Sequence, residues 1–197
     1  MTTIRLLLAL LFILVTLLAC GCTQPGTSSA PTPTASMPGV TNTTGITTGI
    51  ESLTGDERHW LAYMREEEKL ARDVYTVLYT RWEDPVFRNI APAEQQHMDA
   101  VGKMIDRYGL PDPTNGKGPG EFSDPELQTL YDKLIRNGSI SRTAALEVGR
   151  LVEETDIADL DCAIAASRHD DITAVYLNLR QGSLNHLAAF NNRLSRM

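Results

Sequence analysis

The chain has 197 residues, 18 of them basic and 25 acidic, and a net charge of −7 with histidine neutral. An acidic balance of this size argues against nucleic acid as a partner. Only three cysteines are present, too few for a disulfide-stapled scaffold of this length.

Arg5 followed by the apolar run Leu6 to Ala19 has the form of an export signal. At 14 residues the run is short for a membrane span, which needs about 20. It closes on Leu17-Leu18-Ala19-Cys20, which resembles the lipobox of prokaryotic lipoproteins. That resemblance implies cleavage after residue 19, lipidation of Cys20, and anchoring at the outer face of the cell membrane. The alternatives are simple secretion after Ala19 and a retained signal anchor. Residues 20–50 are rich in Thr, Ser, Pro and Gly and poor in charge and large apolar groups. Such a segment cannot offset its ordering entropy, so a flexible tether is expected.

Residues 51–197 have the size of one domain. They hold every acidic residue and all basic ones except Arg5, 17 against 25, a net charge of −8. Thr54-Gly55-Asp56-Glu57 predicts a capping-box start for a helix running to about Trp82. Pro92 is expected near the first turn of a second helix, stopped by Gly109 and Pro111. A Gly/Pro-rich loop spans 110–122. Ser123-Asp124-Pro125-Glu126 then caps a short helix that ends at Asn137-Gly138. Ser141 opens a long helix to about Ser167, and Asp170 or Asp171 opens the last. The expected architecture is all-α: an antiparallel four-helix bundle with an extra short helix between its second and third members.

Each long helix carries an apolar stripe at steps of three and four with a polar intruder in it. The first stripe runs Leu61, Met64, Glu68, Ala71, Tyr75, Leu78; the second Ile90, Glu94, His97, Val101, Met104. The third runs Leu146, Gly149, Glu153, Ile157, Leu160, and the fourth Ile172, Tyr176, Leu179, Ser183, His186, Phe190. Glutamates are almost never fully buried unpaired, and a buried charge needs a partner, a metal or a shifted pKa. In Glu94-Gln95-Gln96-His97 the carboxylate and imidazole share one helix face. Glu68, Glu94, His97, Glu153 and His186 are therefore the candidate metal ligands, with Glu147 and Glu154 in second rank. Oxygen and nitrogen donors of this kind suit iron, manganese or zinc.

Glu68-Lys69-Leu70-Ala71-Arg72-Asp73-Val74-Tyr75 resembles the first-helix segment of rubrerythrins, and Val152-Glu153-Glu154 the third-helix ligand segment of demethoxyubiquinone hydroxylases. More closely, Glu66 to Tyr75, Glu94-Gln95-Gln96-His97-Met98, Ala145 to Gly149 and Gly182-Ser183-Leu184-Asn185-His186 resemble the domain-of-unknown-function 2202 family, a branch of the ferritin-like superfamily. The resemblance to the 2202 family implies a ferritin-like bundle and carries no established activity. The wider superfamily implies, where metal is bound, a di-iron oxidoreductase acting on oxygen or peroxide, with peroxide reduction, ferrous oxidation and oxidation of a small substrate as the candidate activities and the catalytic residues unknown. The superfamily pattern has Glu-x-x-His in the fourth helix as well, and here Ser183 replaces the glutamate. An asymmetric two-metal site, a single-ion site and a degenerate site all fit that departure. The cysteine pattern of a rubredoxin-like electron donor is missing, so a separate redox or envelope partner would be needed. The competing function is a metal-free, lipid-tethered interaction module of the cell envelope. His59 and His169 are expected to be solvated.

Overall fold

The computed structural model describes residues 52–197, which form α1 (Gly55–Trp82), α2 (Pro85–Arg107), α3 (Pro125–Gly138), α4 (Arg142–Ala166) and α5 (Asp170–Leu194). Among the described residues there is no strand, and no helix is long and apolar enough to cross a membrane. The expectations for the signal, Cys20 and the tether lie outside the described residues.

Local chemistry sets the helix ends. Thr54 and Glu57 form a complete capping box at the start of α1. α1 stops at Glu83, which adopts a left-handed conformation (φ 52°) and returns its N–H to the Tyr79 carbonyl. The second helix begins seven residues before Pro92. Asp84 accepts the Val86 N–H and Pro85 fills the first turn, leaving Pro92 inside the helix. An Asp-Pro pair is the stronger start signal, because it supplies both a capping acceptor and a preset φ. Asp124 caps α3 by accepting from Glu126 and Leu127, and Ser141 caps α4 by accepting from Ala144.

The four long helices form an antiparallel bundle in the cyclic order α1, α2, α5, α4. Along α1 and α2, Arg65 meets Met98 and Arg72 meets Gln95. Along α1 and α4, Tyr63 meets Asp159 and Tyr75 meets Gly149. Asp84 and Tyr108 of the α2 side meet Arg193 and Asp171 of the α5 side. The crossover from α2 to α4 therefore runs the length of the bundle, with α3 packed on α1 and α4. Trp82 donates to the Gly138 carbonyl at 2.8 Å where that crossover ends.

This crossover encloses the outer face of α1, so that Glu66, Glu67, Glu68, Lys69, Leu70 and Ala71 are all buried in succession. It is fastened there by ion pairs and backbone hydrogen bonds. Arg65 pairs with Asp112 at 2.9 Å; Lys69 donates to Asp73 at 2.6 Å and to the Gly118 carbonyl at 2.7 Å. Glu66 accepts the N–H groups of Ser123 and Asp124. The 110–122 segment is thus a connection bolted to α1 at several points.

One end of the bundle depends on a single carboxylate. Glu57 accepts the Thr54 N–H at 2.9 Å, the Arg168 N–H at 2.7 Å and the His169 N–H at 3.1 Å, and pairs with His169 Nδ1 at 2.7 Å. The α5 N-cap, His169, makes no side-chain capping bond of its own, so α1 caps its own start and the approach to α5 with one residue. His169 is therefore paired rather than solvated, while His59 is exposed as expected. Burial alone would raise the Glu57 pKa, but His169 and the backbone donors hold it near 2, below its ordinary 4.5. A depressed carboxylate contributes stability above its unfolded pKa and loses it as pH falls through the folded value. Glu57→Gln is expected to cost about 2–3 kcal/mol at pH 7, in urea unfolding. The difference from wild type should close as pH falls from 4.5 to 2. Equal stability of the two proteins at pH 7 would contradict the double-capping role.

The apolar core is in two halves. One gathers Tyr75, Phe87 and Phe190, with ring centroids 5.3 to 5.9 Å apart, over Leu70, Leu78, Leu146 and Val152. The other gathers Leu61, Met64, Val101, Ile105, Leu160, Ile172, Tyr176 and Leu179. Along each long helix the polar intruders fall between these halves.

Candidate metal centre

Four helices contribute to the polar layer. Glu68 comes from α1, Glu94 and His97 from α2, Glu153 and Asp156 from α4, and Ser183 and His186 from α5. Each pair is three residues apart, so both members project from one face into the same layer. Glu94 is the hub: one carboxylate oxygen lies 3.0 Å from His97 Nδ1 and the other 2.9 Å from His186 Nδ1. Glu68 lies 3.3 Å from His97 Nδ1, and Glu153 lies 3.6 Å from His186 Nδ1. The imidazoles are stacked, 5.5 Å between centroids. Ligand atoms of Glu94, His97 and His186 all lie within 4.8 Å of one another. The group thus has two lobes that share Glu94, one with Glu68 and His97 and one with Glu153 and His186.

Neighbours hold these side chains in place. Tyr75 donates to Glu153 at 2.6 Å and lies 3.3 Å from the Gly149 carbonyl. Gly182 makes room for His97, since a Cβ at that position would lie 2.5 Å from His97 Nε2. Gly149 does the same for Phe190, whose ring would be 2.2 Å from a Cβ there. The four carboxylates are buried, and the imidazoles, 14 % and 13 % exposed, form the accessible edge of the cluster.

The electrostatics follow from four acids and two imidazoles in a largely buried layer. Burial would raise Glu94, but the His186 and His97 imidazoles 2.9 and 3.0 Å away outweigh it and hold its pKa near 2. Burial opposes charge on the imidazoles too, yet Glu153 and Glu94 lift His186 to about 10, and Glu94 lifts His97 above its ordinary 6.5. The remaining acids have no such compensation. Burial, then the charge of Glu153, raises Asp156 to about 8, and burial raises Glu153 to about 7 despite His186. Burial with Asp156 and Glu94 nearby pushes Glu68 well up.

The five first-rank candidates converge in this layer. Glu147 and Glu154 stay outside it, 49 % and 42 % exposed and paired with Arg150. Glu68 does not pair with Arg72, which binds Asp73 and Gln95 instead. Asp156 is the member missed in the sequence. Its signal was the three-residue step from Glu153 to Asp156, which the step of four to Ile157 passed over. Ser183 is fully buried, its hydroxyl 3.0 Å from the Leu179 carbonyl, and it tempers the rise of the neighbouring Asp156. The carboxylate that the α5 stripe lacks is thus supplied across the layer by α4.

Residues 57–196 match a family described as an uncharacterized protein domain, DUF2202. The chain is 46 % identical over 145 residues to the uncharacterized protein MJ0754 of Methanocaldococcus jannaschii, covering 74 % of this chain and 78 % of that protein. The crystal structure of hypothetical protein MJ0754 from Methanococcus jannaschii superposes with a TM-score of 0.74 at 44 % identity, over 76 % of this chain and 86 % of that one. A DUF305 fragment from Deinococcus radiodurans gives a TM-score of 0.55 at 14 % identity, over 74 % and 99 % of the two chains. The last comparison concerns the fold alone.

Proposed function

We infer that this chain, which belongs to the uncharacterized DUF2202 family, is a metal-binding helical bundle. Its polar layer would hold one or two first-row transition ions, iron foremost. The observation that carries this reading is Glu94, whose two oxygens face two imidazoles in a layer otherwise lined by buried carboxylates. Glu68 Oε1 and Asp156 Oδ1 make no hydrogen bond, and Glu94 Oε1 and His186 Nδ1 are close but poorly aligned for one. Buried acids in this number are costly unless something positive sits among them. Carboxylate oxygen and imidazole nitrogen are the donors that iron, manganese and zinc accept.

In this arrangement Glu68, Glu94 and His97, with Asp156 beside them, would hold one ion, and Glu94, Glu153 and His186 a second, as in carboxylate-bridged bundles of the ferritin-like kind. Bound iron would supply electrons for the reduction of oxygen or peroxide. The chain does the rest: the shared carboxylate balances charge between the lobes, Tyr75 orients Glu153 through its proton, and the two apolar halves keep water from either side. Reducing equivalents would come from a separate partner. Lipidation at Cys20 would place the domain at the outer face of the membrane.

The test is elemental analysis of the full chain, purified without a metal-affinity tag and loaded anaerobically with ferrous iron. One or two tightly held irons per chain are expected. Gly182→Ala belongs beside it, because its methyl group must displace the His97 imidazole. That variant should remain helical, lose about 1–3 kcal/mol to overpacking, and hold half the iron or less. Iron content equal to wild type would break the link between His97 and the site. A wild-type chain that takes up no iron and melts identically with and without it would leave the metal-free interaction module.

A further inference from the structure

A second pair of carboxylates lies beside the histidine-bearing cluster, and the metal-centre reading leaves it unused. Glu67 sits about 100° around α1 from Glu68 and meets Asp159 of α4. Asp159 is one turn beyond Asp156 and only half-buried, whereas Glu67 is 3 % exposed. Tyr63, one turn before Glu67, donates to Asp159 Oδ2 at 3.4 Å. Glu67 Oε2 has no hydrogen-bond partner. Two carboxyl groups in contact need something positive between them, a proton or a metal ion.

The sequence of burial gives this pair a direction. Asp159 opens on the α1–α4 seam, Glu67 lies inside it, and Asp156 and Glu68 belong to the central layer. A hydrated divalent ion could exchange its waters for carboxylate oxygens one step at a time along that series. We propose that Glu67 and Asp159 form an outer divalent-cation site at the α1–α4 seam, through which ions such as ferrous or manganous pass to the buried centre. The destination rests on the metal-centre reading; the outer pair is separate from it. The rival route passes between His97 and His186, on the opposite side of the layer.

Anaerobic loading of the full chain with cobalt(II), followed by its visible absorbance, distinguishes the routes. Glu67→Gln and Asp159→Asn are near-isosteric, and the less deeply buried Asp159 keeps the test open if the Glu67 variant folds poorly. Both variants should fill the central site to the wild-type level at equilibrium but about tenfold more slowly, the scale on which local charge alters association. Loading of both at the wild-type rate overturns the outer site; the pair then shares a proton and ions arrive by the histidine edge. A wild-type chain that binds no cobalt removes the centre itself, an outcome visible before any variant is compared.

Discussion

The full chain carrying Glu94→Ala and His97→Ala together is expected to retain less than a tenth of the iron held by wild type after anaerobic loading. Glu94 is the only side chain that faces both imidazoles at hydrogen-bonding distance in the central layer, and His97 is the nitrogen donor of its lobe. Removing an outer partner of a metal ligand already costs 10–100-fold in affinity, so loss of a shared ligand and a nitrogen donor should cost more than roughly a hundredfold. The variant also tests the layer without metal. Deleting Glu94 leaves His186 with Glu153 at 3.6 Å as its remaining carboxylate partner, and breaking a buried pair on one side costs about 3–5 kcal/mol. Far-UV circular dichroism should show the same helix content with an earlier melt. The sharpest contrast is the response to metal. Ligand at a hundred times its dissociation constant stabilises the native state by about 2.7 kcal/mol, so iron should raise the wild-type melting temperature and leave the variant unmoved. Equal iron in both proteins would show that the metal is held somewhere other than this layer.

Much of this arrangement was legible in the sequence because helix starts and apolar stripes are local signals. Thr54, Asp124 and Ser141 cap the helices they announce, and the stripes through Glu68, Glu94, His97, Glu153 and His186 do meet in one layer. Where the outcome depended on a choice between steps of three and four, the sequence was ambiguous. On α4 the inward face continues from Glu153 to Asp156, not to Ile157, and an acid there has no apolar pattern to mark it. Where the outcome depended on tertiary cover, no local signal existed. Glu66, Lys69 and Asp73 have no apolar pattern to mark them as buried, yet the crossover buries them by supplying Gly118, Gly120, Ser123 and Asp124 backbone groups as partners. His169 read as a turn residue for the same reason: its partner Glu57 lies 112 positions away.

Without metal, the domain is expected to lose stability steeply as pH rises. Asp156 and Glu153 are raised to about 8 and 7, and Glu67 and Glu68 are raised further than an exposed acid, chiefly by burial. From about pH 4 upward the unfolded chain gives up these protons while the folded chain keeps them. The folded state then binds more protons, so unfolding free energy falls with pH until the folded pKa values are passed. His186, raised to about 10, and His97 act in the same direction, their contribution being complete below 6.5 and lost progressively as pH rises through the folded values. Glu94 and Glu57, both near 2, act oppositely, but only below 4.5. The metal-free chain should therefore be most stable at about pH 4 to 4.5. The loss by pH 8.5 should be on the order of 3–6 kcal/mol, or about 10–20 °C in melting temperature for a domain of this size. Metal reverses the trend, because it displaces the same protons and its affinity rises as they become easier to remove. Melting curves at pH 5 and 8.5, with and without cobalt(II), give four temperatures that decide it. A metal-free melt that is flat or rises with pH would mean that the acids are solvated and that no buried carboxylate layer exists. A falling metal-free melt that cobalt restores at pH 8.5 would tie the strain of that layer to the ions it is built to hold.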